Sequence, residues 1–229
     1  NNLASLGAKV SLCGVVGNDH NKETLFNLLD EGGIERGGVL ACGSRPTTVK
    51  QRIVSWPNHQ MLRVDDEDTS NLSGEEEAVF LGNVLGRLQE ADAVVFSDYV
   101  KGVFSPNLTA ELIKAAKSKG KKIFADFKPK NKDIFRGVDF ITPNLQEAKE
   151  MSGLEDIEMI GPALVDRFGA HAVVTMSGDG ISLFCREDKK RHHVSGKKIK
   201  VFDVSGAGDT VIATVALAAT AGLDPKDVV

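Results

Sequence analysis

The chain has 229 residues, 41% of them hydrophobic and 26% charged, which suits one large globular domain and excludes a disordered chain. Its formal net charge of −4 leaves no basic field to draw in nucleic acid, and no apolar run approaches the roughly 18 residues that a membrane-crossing helix needs. Cys13, Cys42 and Cys185 are odd in number and far apart, a pattern that fits no disulfide framework and points to the cytoplasm.

Residues 1–7 read as the last turns of a helix with Gly7 as its stop, and a strand is predicted over 9–16. That opening in mid-helix, and a helix just starting at Asp224-Pro225, predict a segment cut from a longer protein. A helix is predicted over 21–31. Residues 47–55 and 60–64 read as two strands joined by Trp56-Pro57-Asn58-His59, an antiparallel hairpin suited to a lid or a dimer surface. The acidic run Asp65-Asp66-Glu67-Asp68 lacks the glycine and final glutamate of a calcium loop and reads as a solvated linker.

A helix over 73–89 opens with the capping box Ser73-x-x-Glu76. Apolar runs at 94–97, 122–125, 140–142 and 172–176 read as strands buried on both faces, with helices between them over 105–119, 144–151 and 156–168. The alternation implies an α/β fold, a mostly parallel central sheet with helices on both faces. His192-His193 has no acidic or thiol partner at metal spacing and reads as two solvated side chains.

Five segments follow predicted strand ends, so their side chains can converge on one rim. The sharpest is Asp203-Val204-Ser205-Gly206-Ala207-Gly208-Asp209-Thr210, a glycine-rich turn leading into a helix of small residues. Unpaired N–H groups and the helix dipole favour an anion there, and Gly206 and Gly208 let a phosphate approach the backbone. Asp209 puts a carboxylate beside that pocket. It reads either as a helix cap or as the base that takes a hydroxyl proton during phosphoryl transfer. Asn144 and Glu147, three apart after Pro143, read either as a capping box or as groups serving a hydrated Mg2+. The remaining segments are Ser177-Gly178-Asp179-Gly180, which is a plain turn or a nucleotide contact, Ser97-Asp98-Tyr99-Val100-Lys101-Gly102, and Asp126-Phe127-Lys128. No third glycine completes a dinucleotide fingerprint and no Walker-type P-loop occurs.

Taken together, residues 203–210 resemble the C-terminal signature of the ribokinase (PfkB) family of sugar kinases, and Asn144-x-x-Glu147 resembles that family's Mg2+-linked motif. Segments at 2–8, 97–102, 142–147 and 201–212, with 48–52 and 60–65, resemble the branch that forms the kinase domain of bifunctional ADP-heptose synthases. The resemblance implies a ribokinase-like three-layer α/β/α domain over residues 1–229, cut at both ends, with a small β lid at about 44–65. It implies an enzyme that uses ATP and Mg2+, with a monovalent cation as a further candidate, to phosphorylate the anomeric hydroxyl of D-glycero-β-D-manno-heptose 7-phosphate. The product is the 1,7-bisphosphate, a precursor of ADP-heptose and the lipopolysaccharide core.

In that reading Asp209 is the base, and the N–H groups of Gly206, Ala207 and Gly208 form the anion hole. Asn144, Leu145, Gln146 and Glu147 serve Mg-ATP, with Glu147 on the metal through water. Ser177, Gly178, Gly180 and Lys128 line the nucleotide side, and Lys50, Arg52, Arg63, Asp98 and Lys101 face the phosphorylated sugar. A homodimer through the lid and fusion to a nucleotidyltransferase domain are implied as partners, with neither nucleic acid nor membrane. Phe127 and Met176 depart from the proline and arginine of that branch. The alternatives are another sugar kinase of the family and a non-catalytic nucleotide-binding module on the same fold.

Overall fold

A computed structural model describes residues 1–56, 59–197 and 206–228. In chain order the elements are α1 (Asn2–Ser5), β1 (Ser11–Gly17), α2 (His20–Glu31), β2 (Glu35–Cys42), β3 (Val49–Ser55), β4 (His59–Asp66), α3 (Gly74–Leu88), β5 (Ala93–Asp98), α4 (Pro106–Ser118), β6 (Lys122–Phe127), β7 (Phe140–Ile141), α5 (Leu145–Ser152), α6 (Ile157–Phe168), β8 (His171–Thr175), β9 (Ile181–Phe184), β10 (Arg191–Val194) and α7 (Ala207–Thr220). Among the described residues no helix is long and apolar enough to cross a membrane.

The central sheet runs β10-β9-β8-β7-β6-β5. Its β5 to β8 portion is parallel, and β9 and β10 add an antiparallel pair at one edge. β1 and β2 form a separate parallel pair that packs on α3. Strand alternation divides the core in two. Ile123, Ala125 and Phe127 of β6 face the cluster with Leu112, Ala148 and Leu164 from α4, α5 and α6. Phe124 faces the other cluster, with Ile212, Val215, Ala216 and Ala219 of α7. The sheet therefore lies between two helical layers, the three-layer α/β/α arrangement that the sequence implies.

Local chemistry sets the helix starts. Ser73 and Glu76 close the expected capping box, Asp19 caps α2 by accepting from the Lys22 N–H at 3.1 Å, and Ser105 caps α4 ahead of Pro106. Gly161 of α6 lies against the Phe184 ring so closely that a Cβ there would sit 2.2 Å from it. Phe127 stacks on Phe135 with ring centroids 4.8 Å apart and also meets Phe168, so it fills the core under α4 to α6.

Three expectations are corrected. β2 and β10 escape the sequence reading. The histidine pair is only half solvated: both lie in β10, where His193 is exposed, with Nδ1 3.1 Å from the Ser182 hydroxyl, while His192 is half-buried and its Nε2 is buried. The acidic run is not a solvated linker either. Asp65 and Asp66 close strand β4, and Asp65 and Glu67 are ion-paired. The far end forms a 3-10 turn over Pro225–Asp227, capped by Asp224. The hairpin residues Pro57 and Asn58, and Asp203 to Ser205 of the signature, lie outside the described residues.

Candidate active site

Because β5 to β8 are parallel, their carboxyl ends share one rim, and the segments that follow them meet there. After β5 the chain makes a pinned turn. Asp98 is buried and uses both carboxylate oxygens, accepting from the Val100 N–H at 2.8 Å and from Asn131 Nδ2 at 2.5 Å. Val100 takes φ +57°, a left-handed conformation that a β-branched residue adopts only when its surroundings impose it. The turn presents Tyr99 toward α7.

Gly206 precedes α7 with φ +77°, which suits a residue without a Cβ. Helix geometry leaves the first N–H groups of α7 without intrahelical partners, and among the described residues no N-cap side chain bonds them. Asp209 sits in that first turn. Its Oδ1 accepts from the Tyr99 hydroxyl at 2.9 Å. Its Oδ2 bends back toward Gly206, 3.9 Å from where a Cβ would stand. Asn2 Nδ2 donates to the Thr210 hydroxyl at 2.9 Å, which ties α1 to the start of α7.

From β6, Asp126 points to the α7 face, the parity of Phe124, and its Oδ2 lies 3.9 Å from a Cβ built on Gly208. Burial pushes the Asp126 carboxyl up to about 6. Lys128 opposes that, while Glu147, Asp209 and Asp98 reinforce it. Burial and the bond to Asp209 push the Tyr99 phenol up to about 12. Lys128 donates to Glu147 Oε1 at 2.6 Å and lies 5.5 Å over the Tyr99 ring. Burial works against its charge, but Glu147 and the neighbouring aspartates outweigh it and raise its pKa.

At the start of α5, Asn144 and Glu147 form a complete capping box. Asn144 Oδ1 accepts from the Glu147 N–H at 2.9 Å and Glu147 Oε2 accepts from the Asn144 N–H at 3.0 Å. Leu145 and Gln146 are the first turn of α5, and Asn144 bridges to Thr175 at the end of β8. A 3-10 turn over Ser177–Asp179 joins β8 to β9. Ser177 takes φ +51°, and Gly180 takes φ +98° with Val194 O 2.0 Å from any added Cβ. Only glycine fits at Gly180. A cleft of about 690 Å³ beside this turn is lined by Leu145, Met176, Gly178 and Ser195 among others.

Most of the cations assigned to the sugar form a linked group. Lys50 contacts Asp65 at 2.9 Å and Glu67 at 3.0 Å, Lys101 contacts Glu67 at 2.5 Å, and Arg63 contacts Asp65 at 2.9 Å. Glu67 thus bridges the hairpin to the Lys101 turn on the rim. Those contacts hold the Asp65 and Glu67 carboxyls below their ordinary values, Lys50 contributing most for Asp65 and Lys101 for Glu67. Arg52 is exposed on β3.

Among the described residues no three acidic, histidine or cysteine groups close on a common metal point. Asp126 nevertheless lies among other carboxylates, and the buried hydroxyl of Thr142, just past β7, has no partner among the described residues. This donor set fits a hydrated cation held through water better than one ligated directly by protein.

The structure gathers Asp209, Gly206 to Gly208, Lys128, Asn144, Glu147 and the 177–180 turn around one rim, and Glu67 connects Lys50 and Lys101 to it. Sequence reasoning did not assign Tyr99 and Asp126. Both lie in strand-end segments already marked as convergent, and that position was the only available signal.

The pfkB family carbohydrate kinase model matches residues 1–229. The bifunctional protein HldE of Wolinella succinogenes is 38% identical over 227 residues, covering 96% of this chain and 47% of that protein. HldE of Caulobacter vibrioides is 42% identical over 231 residues, covering 96% and 46%. The chain thus spans about half the length of the curated relatives it matches. The crystal structure of phosphofructokinase-2 from Escherichia coli in complex with fructose-6-phosphate is similar in fold, with a TM-score of 0.78 at 18% identity, covering 100% of this chain and 75% of that one.

Proposed function

Starting from a chain that belongs to the pfkB family of carbohydrate kinases, we propose that it transfers the terminal phosphoryl group of ATP to the anomeric hydroxyl of D-glycero-β-D-manno-heptose 7-phosphate. The likeness to the HldE proteins and the resemblance of the strand-end segments support that acceptor. The observation that carries the reading is the placing of Asp209: a carboxylate in the first turn of α7, beside unpaired N–H groups and over the strand-end rim.

Asp209 takes the proton of the anomeric hydroxyl as that oxygen bonds to the terminal phosphorus. The bond to the bridging oxygen breaks and ADP leaves. The N–H groups of Gly206, Ala207 and Gly208 stabilise the charge on the phosphoryl oxygens in transit. Asn144, Leu145, Gln146, Lys128, Ser177, Gly178 and Gly180 orient the nucleotide. Asp126 and Glu147 would hold a hydrated Mg2+, which when bound neutralises the phosphates. Lys50, Arg52, Arg63 and Lys101 pair with the 7-phosphate, and Asp98 acts by fixing the turn that carries Tyr99 and Lys101.

We also propose that the β3–β4 hairpin is a lid and a dimer surface, that the natural protein joins this domain to a nucleotidyltransferase, and that it works in the cytoplasm. The substrate test is a kinase assay on the natural full-length protein with heptose 7-phosphate, ribose and fructose 6-phosphate as acceptors. A clear preference in kcat/KM for the heptose is expected. Equal or absent turnover of the heptose would remove that acceptor.

A further inference from the structure

The reaction as proposed gives Tyr99 no part, yet the fold takes pains to place it. Asp98 pins the turn on one side, the left-handed Val100 fixes it on the other, and the Lys128 ammonium lies over the ring. The side chain is 49% exposed, so apolar burial alone does not explain a tyrosine there. Its hydroxyl reaches Asp209, 110 positions away in the chain, at 2.9 Å.

Resting on the kinase reading above, we infer that Tyr99 is a positioning residue for Asp209: its phenol holds Oδ1, so that Oδ2 alone is left toward the cradle and the acceptor hydroxyl. A carboxylate in the first turn of a helix is otherwise free to rotate about its last torsion. Through Lys128, the same tyrosine connects the base to Glu147 on the nucleotide side.

The test is Tyr99→Phe in the natural full-length protein, which keeps the ring over Lys128, assayed for kcat and sugar KM beside Asp209→Asn. Loss of one hydrogen bond to a charged group predicts a kcat about tenfold lower. The KM for the sugar should be unchanged, because Tyr99 acts on the base and not on the bound sugar. Wild-type kcat, or a raised sugar KM at unchanged kcat, would each overturn the positioning role. If Asp209→Asn is itself fully active, the kinase reading fails instead, which separates the two outcomes.

Discussion

Asp126 has the least comfortable charge in the site. Burial and three neighbouring carboxylates raise it to about 6, against an ordinary value of 3.8. A carboxyl whose pKa is raised on folding binds its proton more tightly in the native state, so the stability it contributes is lost as pH rises from about 4 to about 6. The shift corresponds to about 3 kcal/mol. Asp126→Asn removes this dependence. The difference in unfolding free energy between variant and wild type, followed by urea titration, is expected to move by about that amount in the variant's favour between pH 4 and pH 7. A flat difference would mean that Asp126 is better solvated, or better paired, than its surroundings imply.

At the scale of elements, the hairpin separates its two faces. Arg52 lies opposite Arg63 and Lys50 opposite Asp65 on one face, while Ile53 lies opposite Leu62 and Gln51 opposite Val64 on the other. The charged face joins the rim through Glu67. The apolar face is uncovered, with Ile53, Leu62 and Val64 all about half exposed. A surface of that kind is what a second copy of the chain would cover. Leu62→Glu is therefore expected to convert a dimer to a monomer in sedimentation velocity. A wild-type protein that sediments as a monomer at micromolar concentration would contradict the proposal.

At the scale of the whole molecule, what the sequence made legible was local. Both capping boxes, the parallel strands and the glycine turn before Asp209 follow from neighbours a few positions apart. β2 was hidden because Glu35, Arg36 and two glycines break its alternation, and β10 because Arg191 and two histidines give it no apolar pattern. The acidic run looked solvated because its partners, Lys50 and Lys101, lie 15 and 34 positions away. Tyr99 was invisible for the same reason, since its role depends on a helix at the far end of the chain. The rim itself was predictable, but the pairs within it were not.

Sugar-dependent ADP release by the natural full-length protein and its Asp209→Asn variant bears most directly on the whole. A proton-accepting carboxylate at the α7 cradle predicts that the variant keeps ATP binding and loses roughly 10²–10⁴-fold in turnover. Near wild-type turnover by Asp209→Asn would contradict it.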